Sequence, residues 1–250
     1  MLYVGRASNL RARVRSYWGD LRDRPHLRRM VPRIALIEHL VCGSEHEAAF
    51  VERGLLDADC PPFNRSEGTE VLAYLRYDDA DGLAFAREAG TSGATFGPYL
   101  GSTAVRHAAD ALNFLYPVGH ALGRTSRVGR ELGRSRGLAA GDAVRLRRDL
   151  FATLDGDGAA VAAALERLAA RRDAAASLLL FEGAARLTAQ MAGLSWISQP
   201  VDHAAVARLV GVWRDGGALA SPVHTDARAD RAGDRGRRGH AAGDRPAADA

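Results

Sequence analysis

Apolar residues return along this chain at spacings that change from one segment to the next. Leu10, Val14 and Trp18 recur at helical intervals behind a short β-prone run, Leu2–Tyr3–Val4, and a glycine, Gly5. That order predicts the end of a strand, a tight turn and a helix capped by Ser8 or Asn9, with Leu10, Val14 and Trp18 facing the core. Arg11 and Arg15 then face solvent. Leu27, Met30 and Val31 predict a short helix broken by Pro32, and the run from Ile34 to Cys42 predicts a largely buried strand ended by Gly43. Ser44-Glu45-His46-Glu47 reads as a capping box, which occupies Glu47 structurally. It leaves Glu52 without a structural task, at the edge of the apolar stripe formed by Ala48, Val51 and Leu55. Cys60–Pro61–Pro62 stops this helix, and Phe63–Asn64 follow.

From about residue 67 the character changes. Val71–Tyr77 predicts a strand, Gly97–Pro98–Tyr99 sits in the stretch Ala94–Leu100, and Ser102 caps a helix that runs to Leu115. Residues 142–195 read as three helices. Val144, Leu146 and Leu150 mark the first, Val161, Leu165 and Leu168 the second, and the run Leu178–Met191 the third. Val206–Trp213 predicts one more. Beyond Gly216 almost no large apolar residue remains, so that tail is expected to be disordered. The pattern gives an α+β chain: a small antiparallel sheet flanked by helices, followed by a mainly helical C-terminal region. Its expected divisions are 1–66, 67–137, 138–215 and a tail over 216–250.

Composition sharpens the picture at two points. The hydrophobic content of 47% supports a real core, although it is rich in alanine and aromatics make up only 6%. Every basic residue is an arginine, the formal charge is +4, and the arginines crowd into residues 1–33, around the strand–turn–helix stretch. Such a local positive field permits nucleic-acid binding. Cys42 and Cys60 belong to no CxxC pair, and no histidine lies at metal-ligand spacing; two reduced thiols are expected. His26, His39, His46, His107 and His120 have no companions at catalytic spacing. With no leader and no apolar run long enough for a bilayer, the expectation is a soluble cytoplasmic protein.

The candidate chemistry lies in Tyr3–Val4–Gly5–Arg6 and the helix after it. A phenol, two guanidinium groups (Arg6 and Arg13) and the start of a helix in one place suit a phosphate. This stretch resembles the second half of the GIY-YIG nuclease module, in the version carried by UvrC-like excision-repair endonucleases. Tyr3–Val4–Gly5 stands for the "YIG" element, and Arg13 for the arginine of the following helix. The run Glu47–Glu52 and Pro62–Phe63–Asn64 are similar to the module's remaining landmarks. The "GIY" strand and its tyrosine would lie before Met1. The resemblance implies a structure-specific DNA endonuclease that hydrolyses phosphodiester bonds in nucleotide-excision repair. Glu52 would bind one divalent metal, Mg²⁺ or Mn²⁺. Arg13 would clamp the phosphoryl oxygens, and Tyr3 would position or deprotonate the water. Asn64 would orient Glu52 or close the site, while Arg6, Arg11 and Arg15 would hold flanking DNA phosphates. The alternative is a catalytically inactive DNA- or protein-binding remnant of such a nuclease.

The resemblance continues downstream. The pattern around Gly97–Pro98–Tyr99 and Leu115–Tyr116–Pro117 is similar to the segment that follows the module in that family. Where the family has a cysteine-rich cluster, residues 118–137 contain no cysteine. Leu178–Met191 resembles one helix of the UVR helical hairpin, which implies a UvrB-like partner at residues 173–194, although Gly183 and Thr188 replace charged positions of that pattern.

Overall fold

A computed structural model describes residues 1–215 except 20, 23, 65–69, 80, 92, 123–130, 132, 134, 136 and 140. The expected tail from 216 and part of the cysteine-free stretch lie outside the described residues. The fold is α+β. Helix α1 spans Leu10–Ser16, and Asn9 caps it by accepting the Ala12 N–H at 2.9 Å. Tyr17, not Trp18, turns inward from its end: Tyr17 is 8% exposed and Trp18 57%. The reason is local packing. Tyr17 joins Leu21, Leu27 and Met30 and meets the Tyr3 ring edge-on, with centroids 5.9 Å apart. Helix α2, Pro25–Met30, starts on a proline and passes into a 3₁₀ turn, Val31–Arg33, that contains Pro32. Helix α3, Glu45–Ala58, carries the expected cap. Ser44 Oγ accepts the Glu47 N–H at 2.9 Å, and Glu47 Oε2 accepts from Gly43 N at 2.5 Å.

The two strands expected within the first 66 residues do not form. Both main-chain groups of Val4 are taken by the Asn64 side chain, and Leu2 O accepts from Phe63 N at 3.2 Å. The segment Ala35–Cys42 has no backbone–backbone hydrogen bond among the described residues. It leaves Leu36, Ile37 and Val41 exposed at 76%, 47% and 62%. Strand propensity expresses itself only against a partner strand, and none lies beside either segment among the described residues.

The sheet forms instead from β1 (Leu72–Asp78), β2 (Gly82–Ala86) and β3 (Ala94–Leu100), antiparallel in the order β2-β1-β3. Tyr77 pairs with Leu83 on one side and Ala94 on the other, and one extra residue on β3, between Phe96 and Tyr99, shifts the register opposite Ala73–Leu75 of β1. Ala73, Leu75 and Tyr77 alternate into the core, as a sheet with one covered face requires. Helix α4, Ser102–Leu115, covers that face with Val105, Ala108, Leu112 and Leu115.

Helices α5 (Val118–Leu122), α6 (Asp142–Leu154), α7 (Gly158–Ser177), α8 (Phe181–Ile197) and α9 (His203–Arg214) follow. Helices α7 and α8 form a hairpin whose tip, Leu178–Phe181, is exposed residue by residue. Helix α8 lies against α4 so closely that a Cβ on Gly193 would stand 2.5 Å from the Ala104 carbonyl oxygen. Helix α9 closes over α3 through Val206. None of the described helices is long and apolar enough to cross a membrane.

His46 ties the first 60 residues to the rest. Its side chain is 1% exposed, and its Nε2 accepts the Leu100 N–H at 3.0 Å at the end of β3. The Trp196 indole donates to Leu100 O at 2.7 Å and lies 4.7 Å from the imidazole. Burial pushes the His46 pKa down to about 4, so the ring is a neutral acceptor at pH 7.

Candidate active site

The side chains around Gly5 fall into two groups. The first is built on α1. Tyr3 Oη accepts from Arg13 Nη2 at 3.1 Å, and the Arg13 guanidinium also lies over the Tyr17 ring, 5.5 Å from its centroid. The Tyr3 ring covers the Gly5 backbone; a Cβ at residue 5 would meet Tyr3 Cε1 and Oη at 2.8 Å. Glycine at this position is what lets the phenol fold back to Arg13. The Arg13 pKa is raised: partial burial opposes its charge, but the bond to Tyr3 and the nearby Tyr17 outweigh it. Tyr17 is pushed up to about 12, first by burial and then by Tyr3. The Nε of Arg13 is buried and has no hydrogen-bond partner among the described residues.

The second group is built on α3. Glu52 lies on the same helix beyond the Ser44–Glu47 cap and is half-buried. Its carboxylate is 26% exposed and lies 3.5 Å from Arg6 Nε. Arg6 in turn makes its short contact with Glu70, Nη2 to Oε1 at 2.6 Å, and rests against Trp196 with the guanidinium carbon 5.7 Å from the ring centroid. The Glu52 pKa is raised above the ordinary carboxylate value. Burial is the largest cause; the charge and backbone of Arg6 pull the other way, Glu70 adds to the rise, and the charge of Arg13 also pulls it down.

Glu52 and Arg6 line a groove of about 760 Å³. One wall runs from Val4 to Ser8, the other from Glu38 to Cys42, and the floor is α3 at Ala48, Val51 and Leu55. Tyr3 and Arg13 do not line this groove. They meet Glu52 through the field of Arg13 rather than by a direct bond. No hydrogen bond joins Asn64 to Glu52 among the described residues. The Asn64 side chain accepts from Val4 N at 2.9 Å and donates to Val4 O at 2.7 Å, fixing the residue between Tyr3 and Gly5. Arg11 and Arg15 are exposed on the outer face of α1.

The structure therefore brings Tyr3 to Arg13 and Arg6 to Glu52, and gives Asn64 to the backbone of Val4, between Tyr3 and Arg6. Sequence reasoning missed Glu70 and Trp196. Both contact Arg6 only through the tertiary fold, from 64 and 190 positions away, and no local pattern marks them. No group of three or more His, Cys, Asp or Glu side chains gathers to hold a metal among the described residues. Of the carboxylates that line the groove among the described residues, Glu52 is half-buried and Glu38 and Glu45 are exposed; a lone half-buried carboxylate suits a hard cation that keeps most of its water.

Residues 1–65 match the family model described as the UvrC-like GIY-YIG domain. Among curated proteins, the chain is 31% identical over 241 residues to UvrABC system protein C of Syntrophotalea carbinolica, covering 87% of this chain and 38% of that protein. It is 33% identical over 216 residues to the protein of the same name from Symbiobacterium thermophilum, covering 80% and 34%. It is 36% identical over 126 residues to that of Citrifermentans bemidjiense, covering 48% and 20%. The chain thus spans between a fifth and two fifths of the length of these relatives. No solved structure matches it.

Proposed function

We propose, on the premise that residues 1–65 of this chain belong to the UvrC-like GIY-YIG family, that the protein is a structure-specific DNA endonuclease of nucleotide-excision repair, hydrolysing phosphodiester bonds with one divalent metal, Mg²⁺ or Mn²⁺. The observation that carries this reading is the Tyr3–Arg13 hydrogen bond beside Gly5, with Glu52 lining the groove that Gly5 and Arg6 also line. Glu52 is the residue that would hold the metal, and a metal held there would stabilise charge on the phosphate and the leaving oxygen. Arg13 offers the phosphoryl oxygens a guanidinium whose fork matches them in two places. The bond from Arg13 fixes the direction of the Tyr3 phenol, which positions the attacking water or takes its proton. Asn64 acts by holding the Val4 backbone, between Tyr3 and Arg6, in place. Arg6, Arg11 and Arg15 bind flanking phosphates in a salt-dependent, sequence-independent way.

On this reading the chain divides into a nuclease module (1–66), a connecting segment (67–137) and a helical region (138–215). The hairpin of α7 and α8, with its exposed tip, would dock a UvrB-like protein at residues 173–194. The protein would work in the cytoplasm. A second reading, a DNA- or protein-binding remnant without activity, draws on the unpaired segment Ala35–Cys42.

A nicking assay on damaged or flapped duplex with Mg²⁺ separates the two. Glu52→Ala and Arg13→Ala are each expected to cut at least about 100-fold more slowly than the wild type. Equal cleavage by all three would refute the site. A salt-sensitive gel shift with no cleavage by any of them would establish the remnant.

A further inference from the structure

We propose that Glu70 occupies the phosphate place on Arg6 and must be displaced before DNA can use it. The inference rests on the reading of Arg6 as a phosphate ligand and adds the residue that controls it.

Arg6 is engaged on three sides. Its flat face lies toward Trp196, its Nε points to Glu52 at 3.5 Å, and its two terminal nitrogens meet the two carboxylate oxygens of Glu70, at 2.6 Å for Nη2–Oε1 and 3.4 Å for Nη1–Oε2. That last contact is a fork on a fork, the geometry by which a guanidinium takes either a carboxylate or a phosphate. Glu70 therefore sits where two oxygens of a phosphate would sit. It is held there by its own backbone, because Arg53 on α3 donates to the Glu70 carbonyl oxygen and is itself paired with Asp57, Nε to Oδ2 at 3.2 Å. Helix α3 thus carries Glu52 and also anchors the strand of chain that presents Glu70.

The pair is suited to opening. The side chains of Arg6 and Glu70 are each 32% exposed, and ion pairs near solvent are weak enough for a stronger anion to replace one partner. A nucleic-acid backbone brings several phosphates at once and releases counterions as it binds. An isolated anion has no such advantage. Glu70 thereby makes Arg6 respond to a polyanion already gripped by Arg11, Arg15 and Arg13, and keeps it closed to single anions.

The test uses the full chain, without metal, and a labelled random-sequence duplex followed by fluorescence anisotropy from low to moderate salt. Glu70→Gln, which keeps shape and removes charge, is expected to bind about 2- to 5-fold more tightly at low salt. Its plot of log affinity against log salt is expected to be steeper, by up to about 0.9, the slope of one added phosphate contact. Glu70→Asp keeps the charge with a shorter reach and is expected to fall between. In an Arg6→Gln background, Glu70→Gln is expected to change nothing. An equal gain in that background would show a general charge effect and overturn the latch. No gain in the wild-type background, with binding still weakened by Arg13→Ala, would also overturn it while leaving the nuclease reading intact. No DNA binding by any form would overturn both.

Discussion

Acid should loosen the joint between the first 60 residues and the rest of the molecule, and His46 should carry a measurable share of that effect. The imidazole accepts the Leu100 N–H at 3.0 Å while 1% exposed, so protonation removes the acceptor and places a charge among Trp196, Phe50 and Tyr99. Its pKa is lowered from 6.5 to about 4, by burial first; Glu70 favours the charged ring, while His203 and Arg6 oppose it. A group whose pKa is lower in the folded than in the unfolded chain contributes stability that is complete above the unfolded value and is lost as pH falls toward the folded one. For His46 that window runs from pH 6.5 down to about 4, and the loss amounts to about 3 kcal/mol across it. This is a large part of the 5–15 kcal/mol typical of a folded domain.

The assay is urea denaturation between pH 7 and pH 4 of the wild type and of His46→Gln, whose side-chain oxygen can accept from Leu100 but does not titrate. Carboxylates common to both proteins cancel in the difference. The wild type's advantage should shrink by about 2–3 kcal/mol across the window, and an NMR titration should show the His46 ring neutral down to about pH 4. Parallel stability curves, or a ring that titrates near 6.5, would refute the reasoning.

Two further substitutions probe other parts of the fold. Asn64→Ala removes both bonds to Val4 and should cost about 1–3 kcal/mol in urea denaturation, while Asn64→Asp, which keeps only the acceptor, should also destabilise. Gly193→Ala would press a methyl group against the backbone of α4, 2.5 Å from Ala104 O and 2.9 Å from Ala108 N, and should cost about 1–3 kcal/mol, seen as a fall of several degrees in Tm; an unchanged Tm would mean that α4 and α8 can separate freely.

What the sequence determined by itself were the local features, those whose physics lies within a few residues. The Ser44–Glu47 cap, a cap for α1 at Ser8 or Asn9, the short helix around Leu27 and Met30, the strand character of β1 and the periodicity of the later helices are all written in adjacent positions. The likeness of residues 1–65 to one nuclease family is legible in the same way, from short runs such as Tyr3–Val4–Gly5 and Pro62–Phe63–Asn64. Tertiary structure decided the rest. Leu2–Val4 and Ile34–Cys42 have the residues of strands, but a strand needs a neighbour; hydrogen bonds from Asn64 and Phe63 took the groups of the first, and Ala35–Cys42 has no partner strand among the described residues. Tyr17 rather than Trp18 was buried because Tyr3 and the Leu27–Met30 cluster lay on its side. His46 was a histidine without companions until folding placed Leu100 and Trp196 against it. Arg6 reads in the chain as a free cation; only the fold, by bringing Glu70 and Trp196 from distant positions, engages it on three sides.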